Sequence, residues 1–121
     1  MAKEISASVS LSVTTALGIT TERSDSSKID MSGDSVHHGI TEVGSSGTAL
    51  EHAELAAEGT PGLVFLKNLS TSITATIGTH ATSNHVIKLK PGEFALFRAS
   101  GDLYGDTASG VAMIEWLVIE E

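Results

Sequence analysis

Five histidines, His37, His38, His52, His80 and His85, are the residues of this 121-residue chain best suited to hold a metal ion or move a proton. A metal site needs several of them to converge. His37 and His38 are neighbours in the run VHHGITEV, and adjacent side chains on an extended strand leave opposite faces, so the pair does not meet at one ion. His52, His80 and His85 fall in or beside stretches of turn composition, and no spacing matches a zinc or cupin-type ligand set. The pattern predicts structural or surface histidines and no metal centre. A metal reading would have to draw on His37, His52 and His85.

The other candidate groups have ordinary readings beside the chemical ones. Asp102 and Asp106 flank Leu103-Tyr104-Gly105 and could do acid–base work or hold calcium, but a solvated turn is the commoner use of such a pair. No serine sits in G-x-S-x-G, and Gly33-Asp34-Ser35 has no base or orienting group in view. Asn68-Leu69-Ser70 matches the glycosylation triplet, and with no signal peptide expected the match is expected to be accidental. Trp116, Phe65, Phe94 and Phe97 lie in apolar runs and are predicted to be buried, which leaves Tyr104 as the aromatic expected at the surface. No catalytic residue, no cofactor site and no enzyme activity are expected.

Composition narrows the classes further. Cysteine is absent, which removes disulfides, thiolate nucleophiles and thiolate ligands. The formal charge is −8 and the pI near 4.9, so phosphate backbones and anionic lipid are repelled and neither nucleic acid nor membrane is an expected partner. With no apolar leader and no run of membrane-spanning length, a soluble, unprocessed chain made in a cytoplasm is expected. The length suits one domain, residues 1–121.

The elements that must position these groups are strands. Ile5, Ala7, Val9, Leu11 and Val13 alternate with Ser6, Ser8, Ser10, Ser12 and Thr14, the period of a half-buried strand. A free edge strand is usually guarded by Lys, Pro or a bulge, and this one carries only hydroxyls on its second face. It is therefore predicted to be paired on both sides or covered by another subunit, with 1–14 an intersubunit strand or arm; an ordinary solvated face is the alternative. Leu17–Met31 is polar and turn-rich and predicts a long surface loop with at most one weak strand. Val36–Val43 predicts a strand joined by Gly44-Ser45-Ser46-Gly47 to a hairpin partner at Thr48–Glu51, although the helix formers of Thr48–Glu58 also fit a short helix.

From Gly62 to Arg98 four apolar runs separated by turn chemistry predict an antiparallel meander. Leu63–Leu69 reads as a strand covered on both faces. Lys90-Pro91-Gly92-Glu93, reminiscent of a cupin corner, predicts a turn with Gly92 in the left-handed region and Glu93 as a simple strand-start residue. Ala99–Gly110 predicts a short strand between loops. Val111–Ile119, apolar on both faces but for Glu115, predicts a strand in the middle of a sheet. About eight strands result, the signature of an all-β antiparallel sandwich, jelly-roll-like in form.

Thr60-Pro61-Gly62-Leu-Val-Phe-Leu-Lys-Asn-Leu69, then Ile77-Gly78, then Ile87-Lys-Leu-Lys-Pro-Gly-Glu-Phe-Ala-Leu-Phe-Arg98 and a closing apolar strand, resemble small β-sandwich structural proteins of tailed bacteriophages. The likeness covers Pro61–Glu121 and rests on scaffold motifs. It implies a virion component: a decoration (cement) protein on the capsid exterior that bridges major capsid subunits, or else a tail, adaptor, fibre or host-recognition protein. The implied partners are the major capsid protein or other virion proteins and further copies of the chain, as a trimer or dimer. Ser6, Ser8, Ser10, Ser12, Thr14 and Tyr104 are the interface residues expected to serve them, and Leu17–Met31 and Ala99–Gly110 the recognition loops of the tail alternative.

Overall fold

Ten β-strands and no helix make up the residues described by the computed structural model, 5–29, 36–50, 61–99 and 103–120. Where the sequence pattern predicts one domain over residues 1–121, contacts group the chain into two compact units, Met1–Ser32 and Gly33–Glu121.

The first unit is a hairpin of β1 (Ile5–Thr14) and β2 (Thr20–Ile29), paired without interruption from Ile5↔Ile29 to Thr14↔Thr20. The Thr15 N–H donates to the Ile19 carbonyl at 2.8 Å and the Gly18 N–H to the Thr15 carbonyl at 2.9 Å, closing the turn. The expected surface loop over Leu17–Met31, with room for one weak strand, is thus corrected to the ten-residue strand Thr20–Ile29. Its polar residues carry no periodic signal of their own; strand preference depends on the partner, and here β1 supplies ten rungs of ladder. The hairpin is a two-stranded sheet, so β1 is paired on one side only among the described residues.

The second unit is a sandwich of two four-stranded antiparallel sheets. One has the order β3 (Val36–Val43), β10 (Ala112–Glu120), β5 (Pro61–Asn68), β8 (Phe94–Arg98); the other has β4 (Thr48–Ala49), β9 (Tyr104–Thr107), β6 (Ala75–Gly78), β7 (His85–Leu89). The all-β sandwich expected from the turn-punctuated apolar runs is therefore present, with eight strands in this unit. The predicted meander is not. β6 and β7 form a hairpin, but β5 pairs with β8 in the opposite sheet, so the chain crosses between layers on either side of that hairpin. Nor do β3 and β4 pair: the Gly44–Gly47 turn carries the chain from one sheet to the other, where β4 finds β9. Residues 51–60, and with them His52 and the helix-former run, lie outside the described residues.

The core is the inward row of β10, Ala112, Ile114, Trp116 and Val118, packed with Val43, Val64 and Leu66 against Ala75, Ile77 and Leu89 of the facing sheet. With few aromatics, these aliphatic rows are what a thin two-layer core requires. Trp116 is its largest member, and its indole N–H donates to the Thr41 hydroxyl at 2.9 Å, which satisfies the one polar atom it brings inside.

β10 does run between two partners, as its length and apolarity predict. Its second face, however, is not covered by another layer of the same unit: Met113 is 38% exposed, and Leu117 and Ile119 are half-buried. Phe94, expected inside, is 63% exposed, because Ala95 and Phe97 take the inward positions of β8 and alternation turns Phe94 and Leu96 out. For the same reason Phe65 is only half-buried on β5.

Gly39 lies directly opposite Trp116, and a Cβ there would come within 2.7 Å of the indole Cζ2. Gly39→Ala should therefore destabilise the sandwich by about 1–3 kcal/mol. Gly44→Ala, where a Cβ meets nothing within 4 Å, should change stability by less than about 0.5 kcal/mol. Denaturant midpoints at constant slope distinguish the two.

Candidate functional site

The closest approach to catalytic geometry is on the outer face of the second sheet. Ala75 and Ile77 point into the core, so alternation turns Thr76 outward, and the pairing of β6 with β7 brings His85 beside it. Thr76 Oγ1 lies 3.0 Å from His85 Nδ1, and His85 Nε2 lies 2.8 Å from the His80 carbonyl oxygen. A carbonyl only accepts, so Nε2 carries the ring proton and Nδ1 accepts from the threonine hydroxyl. An alcohol, a base and a group orienting the base are the parts of an activated nucleophile.

The remaining parts do not assemble among the described residues. Asp106 stands opposite Thr76 in the β6–β9 register, but its Oδ1 is buried with no hydrogen-bond partner, and its contact with Thr76 is through the backbone carbonyl at 3.5 Å. The nearby cavity, about 140 Å³, is lined by Ile77, Val86, Phe97, Ala99 and Leu103 among others and includes neither Thr76 nor His85. What the arrangement does is tie the 79–84 loop to the sheet.

The other histidines are dispersed. His38 Nε2 meets Glu115 Oε2 at 2.9 Å across β3 and β10, while His37 projects from the opposite face of β3 and His80 is exposed in a loop. No three His, Asp or Glu side chains among the described residues come together to hold a metal ion. Asp102 and Gly33-Asp34-Ser35 fall outside those residues, and Asp106 sits in a strand, not in the solvated turn its composition suggested.

Asn68 is the polar residue whose role the sequence concealed. It is fully buried, and its Nδ2 donates to the carbonyls of Ile73 at 2.8 Å and Leu89 at 2.9 Å while its Oδ1 accepts from the Ser70 N–H at 2.9 Å. The nitrogen that a glycan would need is committed twice. The Lys90–Glu93 turn docks on the same residue: the Gly92 N–H donates to the Asn68 carbonyl and the Asn68 N–H to the Glu93 carbonyl, both at 2.9 Å. Gly92 takes φ +83°, the left-handed position expected after Pro91. Glu93 does more than start a strand, since its Oε1 accepts from the Lys90 N–H at 2.7 Å and closes the turn.

Of the expected interface residues, Ser6, Ser8, Ser10, Ser12 and Thr14 line one exposed face of the hairpin. Tyr104 is half-buried at the start of β9, paired with Ala49 and Gly78, and so is less of a surface residue than its glycine-rich surroundings predict. The opposite hairpin face exposes Val9 at 54% and Leu11 at 62%. The outward face of β3-β10-β5-β8 was missed altogether; the signal for it was the second apolar row of Val111–Ile119. Comparison with family models, with curated proteins and with solved structures finds no match to this chain.

Asn68→Leu should destabilise the sandwich by about 3 kcal/mol or more, because two carbonyls and one N–H lose their partner in a buried setting. His85→Ala and Thr76→Val should each cost about 1 kcal/mol and together little more than either, the mark of one shared bond. Equilibrium unfolding gives these values, and only His85→Ala should also speed proteolysis within residues 79–84.

Proposed function

We propose that this chain is a structural subunit that works by binding other proteins, and that its setting is a virion, most concretely as a capsid decoration protein bridging major capsid subunits on the shell exterior. The observation that carries the reading is where large apolar side chains sit: Val9, Leu11, Ile40 and Phe94 are 54%, 62%, 55% and 63% exposed on regular strands, not on loops. Exposed apolar area held on rigid strands suits contact with a protein partner better than it suits a lone chain in water. A two-stranded hairpin is marginal by itself, so β1 and β2 gain most when a partner covers them. The virion setting is supported by the motifs of Pro61–Arg98, and the major capsid protein and further copies of the chain, as trimer or dimer, are its proposed partners.

The sandwich is further proposed to be a jelly roll. β3:β10, β4:β9, β5:β8 and β6:β7 are nested pairs, and alternate pairs fall in opposite sheets, as rolling one long antiparallel ribbon would require. The proposed task is mechanical: a subunit bound across a seam adds its binding free energy to what must be overcome to part the shell. Many copies make a weak single contact sufficient.

Quantitative mass spectrometry of purified particles tests this, with hundreds of copies per particle expected; a dozen or fewer would transfer the chain to the tail, and none would end the virion reading. Leu11→Asp should weaken binding of the purified chain to empty shells about tenfold while leaving the unfolding midpoint of the sandwich unchanged. Equal binding by Leu11→Asp and the native chain would remove the hairpin from the interface.

A further inference from the structure

We propose that two copies of this chain associate through the outward face of the β3-β10-β5-β8 sheet, related by a two-fold axis that runs along the strands between β10 and β5. The pairing rests on the reading of the chain as an assembly subunit and names the surface by which it meets itself.

The face is apolar and regular. Register sets its rows: Ile40, Glu115, Lys67 and Phe94 lie side by side, then His38, Leu117, Phe65 and Leu96. Phe65 and Phe94 pack diagonally on its β5–β8 side with ring centroids 6.1 Å apart. Four strands spaced about 4.8 Å and five to nine residues long give a face of roughly 500 Å², so two copies would hide roughly 1,000 Å². That is the lower limit for a specific interface and predicts micromolar association, not an obligate dimer.

Charge selects a second copy as the occupant and sets its orientation. The chain carries −8 overall, which would drive copies apart, yet on this face Lys67 and Arg98 balance Glu42 and Glu115. The carboxylate and the ammonium at the centre, Glu115 and Lys67, occupy the same row on adjacent strands. A two-fold axis along the strands lays β10 of one copy over β5 of the other without changing the row. Glu115 of each copy then stands across from the second copy's lysine at position 67, and Leu117 across from its phenylalanine at position 65. An axis perpendicular to the strands lays each strand over itself: between the two rows it sets Glu115 across from Leu117 and Lys67 across from Phe65, and on the charged row it sets each charge across from its own kind. Two like-signed faces would repel under any axis; this one is self-complementary under one.

Charge reversal in trans tests the arrangement. In sedimentation experiments the native chain should show reversible dimers, and Glu115→Lys and Lys67→Glu should each weaken dimerisation about tenfold or more, because each places like charges opposite one another twice. An equimolar mixture of the two variants should recover native affinity, since every contact in the mixed pair is again between opposite charges. The same folded proteins serve in both arms, so a loss of stability within a chain cannot mimic the recovery. A mixture as monomeric as either variant alone would overturn the pairing, as would a native chain that stays monomeric at its solubility limit. Binding of the native chain and of Glu115→Lys to empty shells, measured in parallel, separates the two proposals: a monomeric native chain that still binds shells would sink the pairing alone, and dimers that do not bind them would sink the capsid-decoration reading alone.

Discussion

Asn68 can occupy a fully buried position only because every strong hydrogen-bonding group it carries is used. Its amide nitrogen reaches the carbonyls of Ile73 and Leu89, at the threshold of β6 and the end of β7, while its own backbone belongs to β5 in the other sheet. One side chain thus fastens the two layers to each other at one end of the sandwich. The Lys90–Glu93 turn is docked on its main chain, and the 69–74 connection is nucleated by Ser70, whose N–H it holds and whose hydroxyl oxygen accepts from the Ile73 N–H at 3.0 Å. Burying such a group would be costly without these partners, so the loops at this end have little freedom to be otherwise. The aliphatic rows of β10, β5 and β6 supply the driving force for the layers to close, but they are slippery; the amide gives them a register.

The same alternation that fills the core leaves a second apolar surface. On β8, placing Ala95 and Phe97 inward obliges Phe94 and Leu96 to face out, and on β10 the buried row that includes Trp116 obliges Met113 and Leu117 to do so. In a single sandwich the outward rows of a sheet are normally polar. Here the β4-β9-β6-β7 sheet turns out Thr76, Lys88 and Asp106, with Val86 the exposed apolar residue of β7, while the outward rows of the other are mainly apolar. Exposed hydrophobic side chains therefore gather on that sheet of the sandwich, and the hairpin, taken by itself, exposes others on its own strands. The polar groups with chemical potential, by contrast, are engaged in holding backbone: His85 in steadying its loop, Glu93 in closing a turn, His38 and Glu115 with each other.

The all-β class, the positions of β1, β3, β5, β7 and β10, and the left-handed Gly92 were legible in the residues, because period-two alternation and Pro-Gly turn chemistry act over a few neighbouring positions. β2 was not legible, since its nine polar residues and Ile29 form a strand through the ladder that β1 offers and not through any pattern of their own. Nor was the pairing. A glycine-rich turn such as Gly44–Gly47 reads equally well as a hairpin and as a crossing between sheets, and only the distant partners, β10 for β3 and β9 for β4, decide between them. The sequence by itself therefore determined, β2 apart, which segments are extended and which of their side chains share a face. Tertiary structure decided which of two apolar faces is covered, and turned a chance glycosylation triplet into the buried amide that joins the sheets, because both depend on what a second strand, far away along the chain, brings within reach.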